Sequence, residues 1–498
     1  MKIQKHTVIS ILFFISYWSL FAQTIESKIV DKKTNQPIPY ATIQLSESDG
    51  IITNEEGRFS VTIQEKNTPI DSIFISSMGY ERVGIAVQNT IDTIIYINPK
   101  AVALKSVFVT NKNLSVDEII DNVEDGIRKN YDFDLTNKKL FFRESYTNFI
   151  NKLDIEFKKS TIVELDKKLI DSIVRIIPKK SEFYTEVLGN FYGNLEKQKL
   201  NISKGARLYD KDNEGSVEAL YKKIETILKE NIKPDSYLKI KSGIFSQKVQ
   251  VDSILKANQD AADIKNELGE SKENFFYTSR KTNLTNLFAD LFFQEDTKLN
   301  IIRKSGRYTF EKVDFTTIDD SGVYIINFSP NRWADFKGTL YVNTEDFSVM
   351  RIDYQNVKPL KKYNLLGISY EETLYSGKTF FSKGINGKYS PRFIEKITGN
   401  KFGVDRPLKV IEKNKNIKGK RKQNELSLEL DIFNTNRNKY EVIVFDTQSI
   451  SEKGYTSAKE NKNIEAAYLS RYDPNFWKGY TIIEPNAAIK EFTIEEEE

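Results

Sequence analysis

Apolar residues alternate with polar residues in two stretches near the N-terminus. The first stretch contains Ala41, Ile43 and Leu45, and the second contains Phe59, Val61 and Ile63. A period of two is typical of a half-buried β-strand. The residues between them, Asn54-Glu55-Glu56-Gly57, predict a polar turn in which glycine adopts a positive φ. The pattern therefore predicts two strands joined through this turn.

Further short apolar runs continue this pattern at residues 72–75, 83–87 and 93–97. Many short strands at regular spacing are typical of a β-sandwich.

The hydrophobic period changes near residue 113. Ser115 and Glu118 have the spacing of a capping box, with Ser115 as the N-cap. The residues that follow place an apolar stripe on one helical face, made of Ile119, Ile120, Val123 and Ile127. We predict a helix that ends before Asn130 and then a strand over residues 140–146.

Two later stretches have helical spacing, at residues 217–228 and 284–292. We interpret both as helices that face a core, in preference to membrane-surface helices. Asp210, Asp212 and Glu214 resemble the start of an EF-hand loop, but the twelfth position is Tyr221, where calcium needs a glutamate. This segment is therefore predicted to be a solvated turn before a helix.

From about residue 306 the period of two returns, with strands predicted at 308–313, 323–328 and 426–430. The clearest hairpin joins 338–342 to 348–354 through the polar connection 343–347. Leu340, Val342, Met350 and Ile352 are predicted to line its apolar face, which we expect the helix around 284–292 to cover.

The elements together predict a β-rich multidomain fold. It consists of an N-terminal seven-stranded β-sandwich, an α+β region and a C-terminal antiparallel sheet. The predicted boundaries are a signal peptide at 1–22, the sandwich at 23–112, the mixed region at 113–300, and the sheet domain with its tail at 301–498.

The first 22 residues have the pattern of a secretory signal peptide. Lys2 and Lys5 precede an apolar stretch over residues 8–21, and cleavage is predicted between Ala22 and Gln23. The apolar run is short for a membrane span of about 20 residues, and no second such run follows. We therefore expect an exported protein, periplasmic or associated with the outer membrane.

The composition of the 498 residues is ordinary for a globular protein, with 39% hydrophobic and 29% charged residues. The formal net charge is +4, and removal of the leader with its two lysines lowers it to about +2. No basic face or RNA-binding motif stands out, so nucleic acid is not an expected partner.

The chain has no cysteine, and its one histidine, His6, lies in the predicted leader. A mature chain without either residue cannot form a His- or Cys-ligated zinc site, a Ser-His-Asp triad or a Cys-His dyad. No phosphate-binding loop or nucleophile motif occurs either. We expect no cofactor, no metal and no catalytic residue, although paired carboxylates could hydrolyse a glycan.

Residues 35–59, N-Q-P-I-P-Y-A-T-I-Q-L through T-N-E-E-G-R-F, resemble the carboxypeptidase-regulatory-like domain. The resemblance continues through S-S-M-G-Y-E at 76–81 and L-K-S-V-F-V-T at 104–110. It implies a seven-stranded transthyretin-like β-sandwich of the kind found in envelope proteins of Bacteroidota. The family name refers to a peptidase, but the histidines that zinc carboxypeptidase chemistry needs do not exist here.

Weaker resemblances concern other segments. F-F-R-E-S-Y at 141–146 and the tail 472–486 are similar to segments of multidomain envelope proteins, and we expect Phe476 and Trp477 to pack the tail onto the body. The hairpin at 338–354 resembles hairpins in the curved sheets of periplasmic lipoprotein carriers. The basic run 413–422 is interpreted as a charged loop, with contact to anionic lipid headgroups as the alternative.

The leading functional hypothesis is a non-catalytic secreted envelope protein whose sandwich is an interaction or positioning module. One alternative is a periplasmic carrier that holds an acyl chain or another apolar ligand in a curved antiparallel sheet. A second alternative is a carboxylate-based glycan hydrolase. An envelope protein, a glycan or a lipid is the expected kind of partner, with peripheral association with a membrane.

Overall fold

The computed structural model describes residues 23–45, 50–63, 72–87, 94–100, 114–251, 271–318, 321–331, 333–414, 416, 421–478, 480 and 482–492. The chain divides into two compact units. The N-terminal unit contains Met1–Val102 and Asp473–Ala488, and the larger unit contains Ala103–Tyr472 and Ile489–Glu498.

Seven strands form the described part of the N-terminal unit. They are β1 (Gln23–Asp31), β2 (Thr42–Gln44), β3 (Gly50–Ile52), β4 (Arg58–Ile63), β5 (Ser72–Ser76), β6 (Val83–Ala86) and β7 (Ile94–Ile97). One sheet has the order β4-β1-β7 and the other the order β3-β2-β5-β6. Ile25 and Phe59 from the first sheet and Ile43 and Ile75 from the second are buried, as alternation predicts. The predicted strand-rich N-terminal region is confirmed.

The turn at residues 54–57 has the predicted glycine geometry. Gly57 has a φ of 73°, and a Cβ added there would lie 2.7 Å from the carbonyl oxygen of Ile29. Asn54 accepts hydrogen bonds from the backbone N–H groups of Glu56 and Arg58, both at 2.9 Å. Only glycine therefore fits this position without moving β1.

The C-terminal segment of the N-terminal unit binds this same turn. Asn54 Nδ2 donates to the carbonyl of Pro485 at 3.3 Å, and the backbone N–H of Ala487 donates to Glu56 Oε1 at 2.8 Å. Asn486 Nδ2 donates to Glu55 Oε1 at 2.7 Å. Trp477, expected to anchor the tail, is buried. We name the three hydrogen bonds that join residues 54–56 to residues 485–487 the tail clamp.

The larger unit is built on one sheet of long strands. Its strands are β8 (Thr136–Ser160), β9 (Lys180–Gly193), β10 (Gln198–Tyr209), β11 (Ser236–Ser242), β12 (Phe245–Gln250), β13 (Tyr308–Ile318), β14 (Ser321–Pro330), β15 (Phe336–Asn343), β16 (Val349–Asn356), β17 (Lys362–Leu365), β18 (Ile368–Lys383), β19 (Tyr389–Asn414), β20 (Lys422–Ser449) and β21 (Ala467–Leu469). The main order is β13-β14-β15-β16-β18-β19-β20-β8-β9-β10-β21. Neighbouring strands on this path are antiparallel except β10 and β21, and strands from both sides of residue 300 share the sheet.

The described helices are α1 (Val116–Asn130), α2 (Lys167–Ile176), α3 (Lys211–Asn231), α4 (Ser271–Ala289), α5 (Glu452–Ser457) and α6 (Ala487–Lys490), with a 3₁₀ turn at Ser305–Arg307. The capping box of α1 is confirmed, since the N–H of Glu118 donates to Ser115 Oγ at 3.2 Å and that of Ser115 to Glu118 Oε2 at 2.7 Å. The helix includes Asn130, one residue beyond its predicted end.

The main core lies where α1 and α4 pack on one face of the sheet. Leu284 from α4 and Leu340 and Val342 from β15 belong to a single buried cluster. At its centre the Tyr131 hydroxyl accepts from the N–H of Val349 at 2.7 Å and donates to its carbonyl at 3.0 Å. The prediction that the hairpin face lies in a packed core is confirmed.

The hairpin contains a β-bulge that its sequence did not predict. The register of β15 and β16 shifts between Tyr341 and Val342, so that Val342 pairs with Val349. Met350, predicted to line the apolar face, is partly buried and packs against the same cluster as Leu340 and Ile352.

A second, smaller core lies near the far ends of β8 and β20. It contains Ile162, Leu169 from α2, Ile227 from α3 and Val251. Leu426 from β20 packs against it. The segment predicted as a turn from Asp210 to Gly215 is helical from Lys211 onward, so that turn prediction is wrong.

Candidate functional site

Between the two cores, one face of the sheet is apolar. In three successive rows across β19, β20 and β8, Val404 pairs with Ile432 and Leu153, Arg406 with Leu430 and Ile155, and Leu408 with Leu428 and Phe157. The register extends the first row to Ile368 on β18, and another row joins Tyr370 to Phe402. Paired residues in antiparallel strands point to the same face. We name this surface the open face.

The side chains of the open face belong to neither core. Leu153, Ile155 and Phe157 are half-buried, whereas Asp154 and Glu156 between them are exposed. In the described part of the larger unit these three residues are not packed against either buried cluster. Apolar side chains in this position leave area that a ligand can cover.

The opposite side of the same strands is acidic. Asp154 pairs in register with Asp431, which pairs with Asp405. Lys152 forms an ion pair with Asp431, and together with Asp154 and Asp405 this raises the pKa of Lys152. The strands are therefore amphipathic, with water expected on the acidic side.

The open face is bounded at both ends. Phe402 and Ile432 lie on the same face of the sheet as Phe142 and Ile394, which belong to the main core. At the other end of this face, Leu426 packs against the second core. Four strands are roughly 14 Å across, and residues 402–408 are roughly 20 Å long. The resulting area of about 300 Å² is below the ~800 Å² that each partner contributes to a standard protein interface.

A polar band separates the main core from the open face. Glu144 on β8 forms an ion pair with Arg280 and accepts from Asn283 Nδ2 at 2.5 Å, both from α4. Burial raises the pKa of Glu144, and Arg280 opposes that shift. These two contacts join α4 to β8. Each buried charge faces an opposite charge, which offsets the cost of burying it.

The band continues across β18 and β19. The Tyr375 hydroxyl donates to Asp290 Oδ2 at 3.1 Å, and Lys396 forms an ion pair with the same carboxylate. Burial raises the pKa of Tyr375. One row nearer the open face, Tyr146 donates to Asn436 at 2.9 Å and Asn436 donates to Asn400 at 3.1 Å.

Buried charges also lie on the opposite side of the sheet, at the level of the main core. Arg143 is 1% exposed and donates through Nε to Glu186 at 2.7 Å. Glu395 and Glu441 pair in register, and Lys439 lies 3.3 Å from the first and 3.1 Å from the second. Both carboxylates are buried and ion-paired, an arrangement that supports a structural role for them.

Arg406 is the polar residue of the open face. It is 5% exposed, and its Nη2 donates to the carbonyl of Ser242. The guanidinium carbon lies 4.9 Å from the Phe245 ring centroid. Nη1 is buried without a hydrogen-bond partner in the described part of the chain, which is costly for a cation.

A separate cavity of about 470 Å³ lies beside the main core. Phe133, Lys138 and Phe293 are among its lining residues. Burial lowers the pKa of Lys138 to about 8, and its Nζ lies 5.6 Å from the Phe288 ring centroid. Without a motif around it, nothing in the sequence pointed to this lysine.

The structure describes only some of the residues that the sequence analysis predicted to be functional. Ala22 lies outside the described residues, and Gln23 is the first residue of β1. The basic run 413–422 is described only at 413, 414, 416, 421 and 422, so its lipid contact stays a prediction. The described residues contain no cluster of three potential metal ligands, and metal independence remains a prediction.

The sequence reasoning missed the open face. It placed the candidate groove at the 338–354 hairpin, where the sheet is buried in the main core. The available signal was the alternation Leu153, Ile155, Phe157 and its counterpart Leu428, Leu430, Ile432.

Comparison with protein families concerns the N-terminal unit. Residues 25–109 match the CarboxypepD_reg-like domain. The two sheets of the N-terminal unit are thus those of a CarboxypepD_reg-like domain, as the resemblance implied. The match covers none of the open face. A comparison with curated proteins found no match.

Solved structures give only distant similarity. An outer membrane lipoprotein-sorting protein domain from Vibrio parahaemolyticus is 7% identical with a TM-score of 0.20, over 68% of this chain and 97% of that one. MucA/MucB from Pseudomonas aeruginosa is 6% identical with a TM-score of 0.17, over 64% and 92%. A membrane-associated protein from Bacteroides fragilis is 9% identical with a TM-score of 0.13, over 84% and 97%. Similarity at this level carries no functional argument.

None of the helices in the described ranges is long and apolar enough to cross a membrane.

Proposed function

We propose that this protein is a non-catalytic cell-envelope protein that holds an apolar, chain-like ligand on the open face. The CarboxypepD_reg-like domain serves as its interaction or positioning module. The observation that carries the proposal is the set of apolar rows across four strands, bounded by a core at each end.

The dimensions of the open face favour an acyl chain over a protein partner. Its area is less than half of what a standard protein interface takes from one partner. Its long axis follows the strands, so an extended chain can contact successive rows from Phe402 to Leu408. Apolar lining with few polar groups is typical of small-ligand sites.

The predicted export agrees with the same proposal. Gln23, the residue that follows the predicted cleavage, is the first residue of the first described strand. A leader that ends at Ala22 would leave β1 whole, and the mature protein would act in the periplasm or at the outer membrane.

The proposal is tested by binding of a fluorescent fatty acid to the purified mature chain. The double variant Leu153→Thr/Ile432→Thr places β-branched residues that suit strands at both positions but removes apolar area from one cross-strand pair. We expect at least a tenfold increase in the Kd of the probe.

Phe433→Thr is the matched control, since Phe433 is adjacent on β20 and points to the acidic side with Lys152. We expect its Kd to stay within twofold of wild type. An unchanged Kd for the double variant, or equal losses in both folded variants, would contradict the proposal.

A further inference from the structure

Two turns at the edge of β19 lie side by side. One turn joins β11 to β12 at residues 243–244, and the other joins β17 to β18 at residues 366–367; each is considered with its flanking residues, 242–245 and 363–367. A Cβ at Gly243 would lie 2.8 Å from Arg406 Nη2, and one at Gly367 would lie 2.7 Å from Arg406 Cγ. Both turns therefore contact the same side chain. We name them the paired tips.

The paired tips carry large apolar side chains that point into solvent. Ile244 is 84% exposed, Leu365 63% and Leu366 50%, and Tyr363 and Phe245 are also exposed. Single exposed apolar residues are common, but five at two touching turns form a patch that marks an interaction surface.

The tips are held in position by the backbone. Leu366 has a φ of 51° and Gly367 a φ of 77°, the left-handed pair of a type I′ hairpin turn. Leucine rarely adopts this conformation, for which asparagine or glycine is preferred. Leu366 therefore adopts an unfavourable backbone conformation, and its side chain lies at the end of the hairpin.

Lysines lie near the paired tips on the two hairpins that carry them. Lys241, Lys248 and Lys361 have no carboxylate partner among the described residues, and Lys362 is paired only with Glu371 at 3.4 Å. Beneath the tips, the guanidinium of Arg406 has an Nη1 without an acceptor and no carboxylate partner in the described part of the chain. The surroundings of the apolar side chains therefore attract anions.

We propose that the paired tips dock the protein on an anionic phospholipid bilayer. Ile244, Phe245, Leu365 and Leu366 enter the boundary between headgroups and acyl chains, while the lysines contact phosphate groups. Membrane-surface binding combines these two contributions, buried apolar area and attraction to anionic lipid.

The test is co-sedimentation of the full mature chain with vesicles of phosphatidylcholine alone or mixed with phosphatidylglycerol. We expect binding to the mixed vesicles, at least a tenfold lower partition coefficient on phosphatidylcholine alone, and weaker binding as salt is raised. Wild-type protein that stays in the supernatant with both vesicles, or binds both equally, would overturn the proposal.

The decisive variant is Ile244→Asn/Leu366→Asn, because asparagine suits these two turn positions and the folded state should persist. We expect its partition coefficient to fall at least tenfold, with unchanged fatty-acid binding at the open face. The control is Ile385→Asn, which is fully exposed at the turn between β18 and β19, the other end of β18. Equal losses in the double variant and the control, or no loss in the double variant, would refute docking through the tips.

Discussion

At the scale of single residues, Leu340 tests whether the apolar face of the hairpin is buried. Leu340 is 0% exposed in the cluster that contains α4, whereas Thr339 points to the other side of β15. Leu340→Asp buries an unpaired charge, and we expect it to cost several kcal/mol and prevent folding. Thr339→Asp should cost much less. Circular dichroism and urea unfolding compare the two, and a folded Leu340→Asp variant would contradict the covered core.

Burial of the charged Lys138 side chain destabilises the folded state. Burial lowers its folded-state pKa to about 8, below the value of about 10.4 for an unfolded chain. Between these two pH values the unfolded state binds more protons, so the free energy of unfolding rises with pH. Below pH 8 the full penalty is present.

Lys138→Met should therefore increase the free energy of unfolding at pH 7 by about 1–3 kcal/mol, and the gain should shrink by pH 10. Lys139→Met, at the exposed neighbour, is the control and should show little change. Urea unfolding at both pH values measures this. A gain that is equal at pH 7 and pH 10 would argue against a titrating lysine.

At the scale of elements, the tail clamp joins two segments of the N-terminal unit that are far apart in sequence. Asn54 is 2% exposed and bonds both its own turn and Pro485. Asn54→Ala leaves buried N–H groups without acceptors, and we expect a loss of about 2–3 kcal/mol.

Asn486→Ala removes an exposed contact of the same clamp, and its cost should stay below about 1 kcal/mol. Thermal unfolding of the two variants tests this ranking. Similar melting temperatures would show that the turn holds without Asn54.

At the scale of the whole molecule, a leader that ends at Ala22 would place the mature N-terminus at β1. We expect N-terminal sequencing of protein from the periplasmic or membrane fraction to begin near Gln23. Ile25 is buried in β1, so cleavage further into the strand would remove core residues. An intact Met1 on cytoplasmic protein would contradict export.

The local signals in the sequence determined several features by themselves. The capping box fixed the start of α1, Gly57 fixed a turn, and the polar connection at 343–347 fixed a hairpin. These features depend on backbone preferences and short-range hydrogen bonds, which neighbouring residues control. The absence of cysteine, and of histidine beyond His6, likewise needed no structure.

Only the tertiary structure decided which apolar rows are covered. Leu340 and Leu153 show the same alternation, yet the first is buried in the main core and the second is half-buried. Likewise, no pattern in the sequence indicated that Asn54 contacts Pro485 or that two turns contact Arg406. Period and propensity describe one strand at a time, whereas coverage depends on which distant segments the chain brings together.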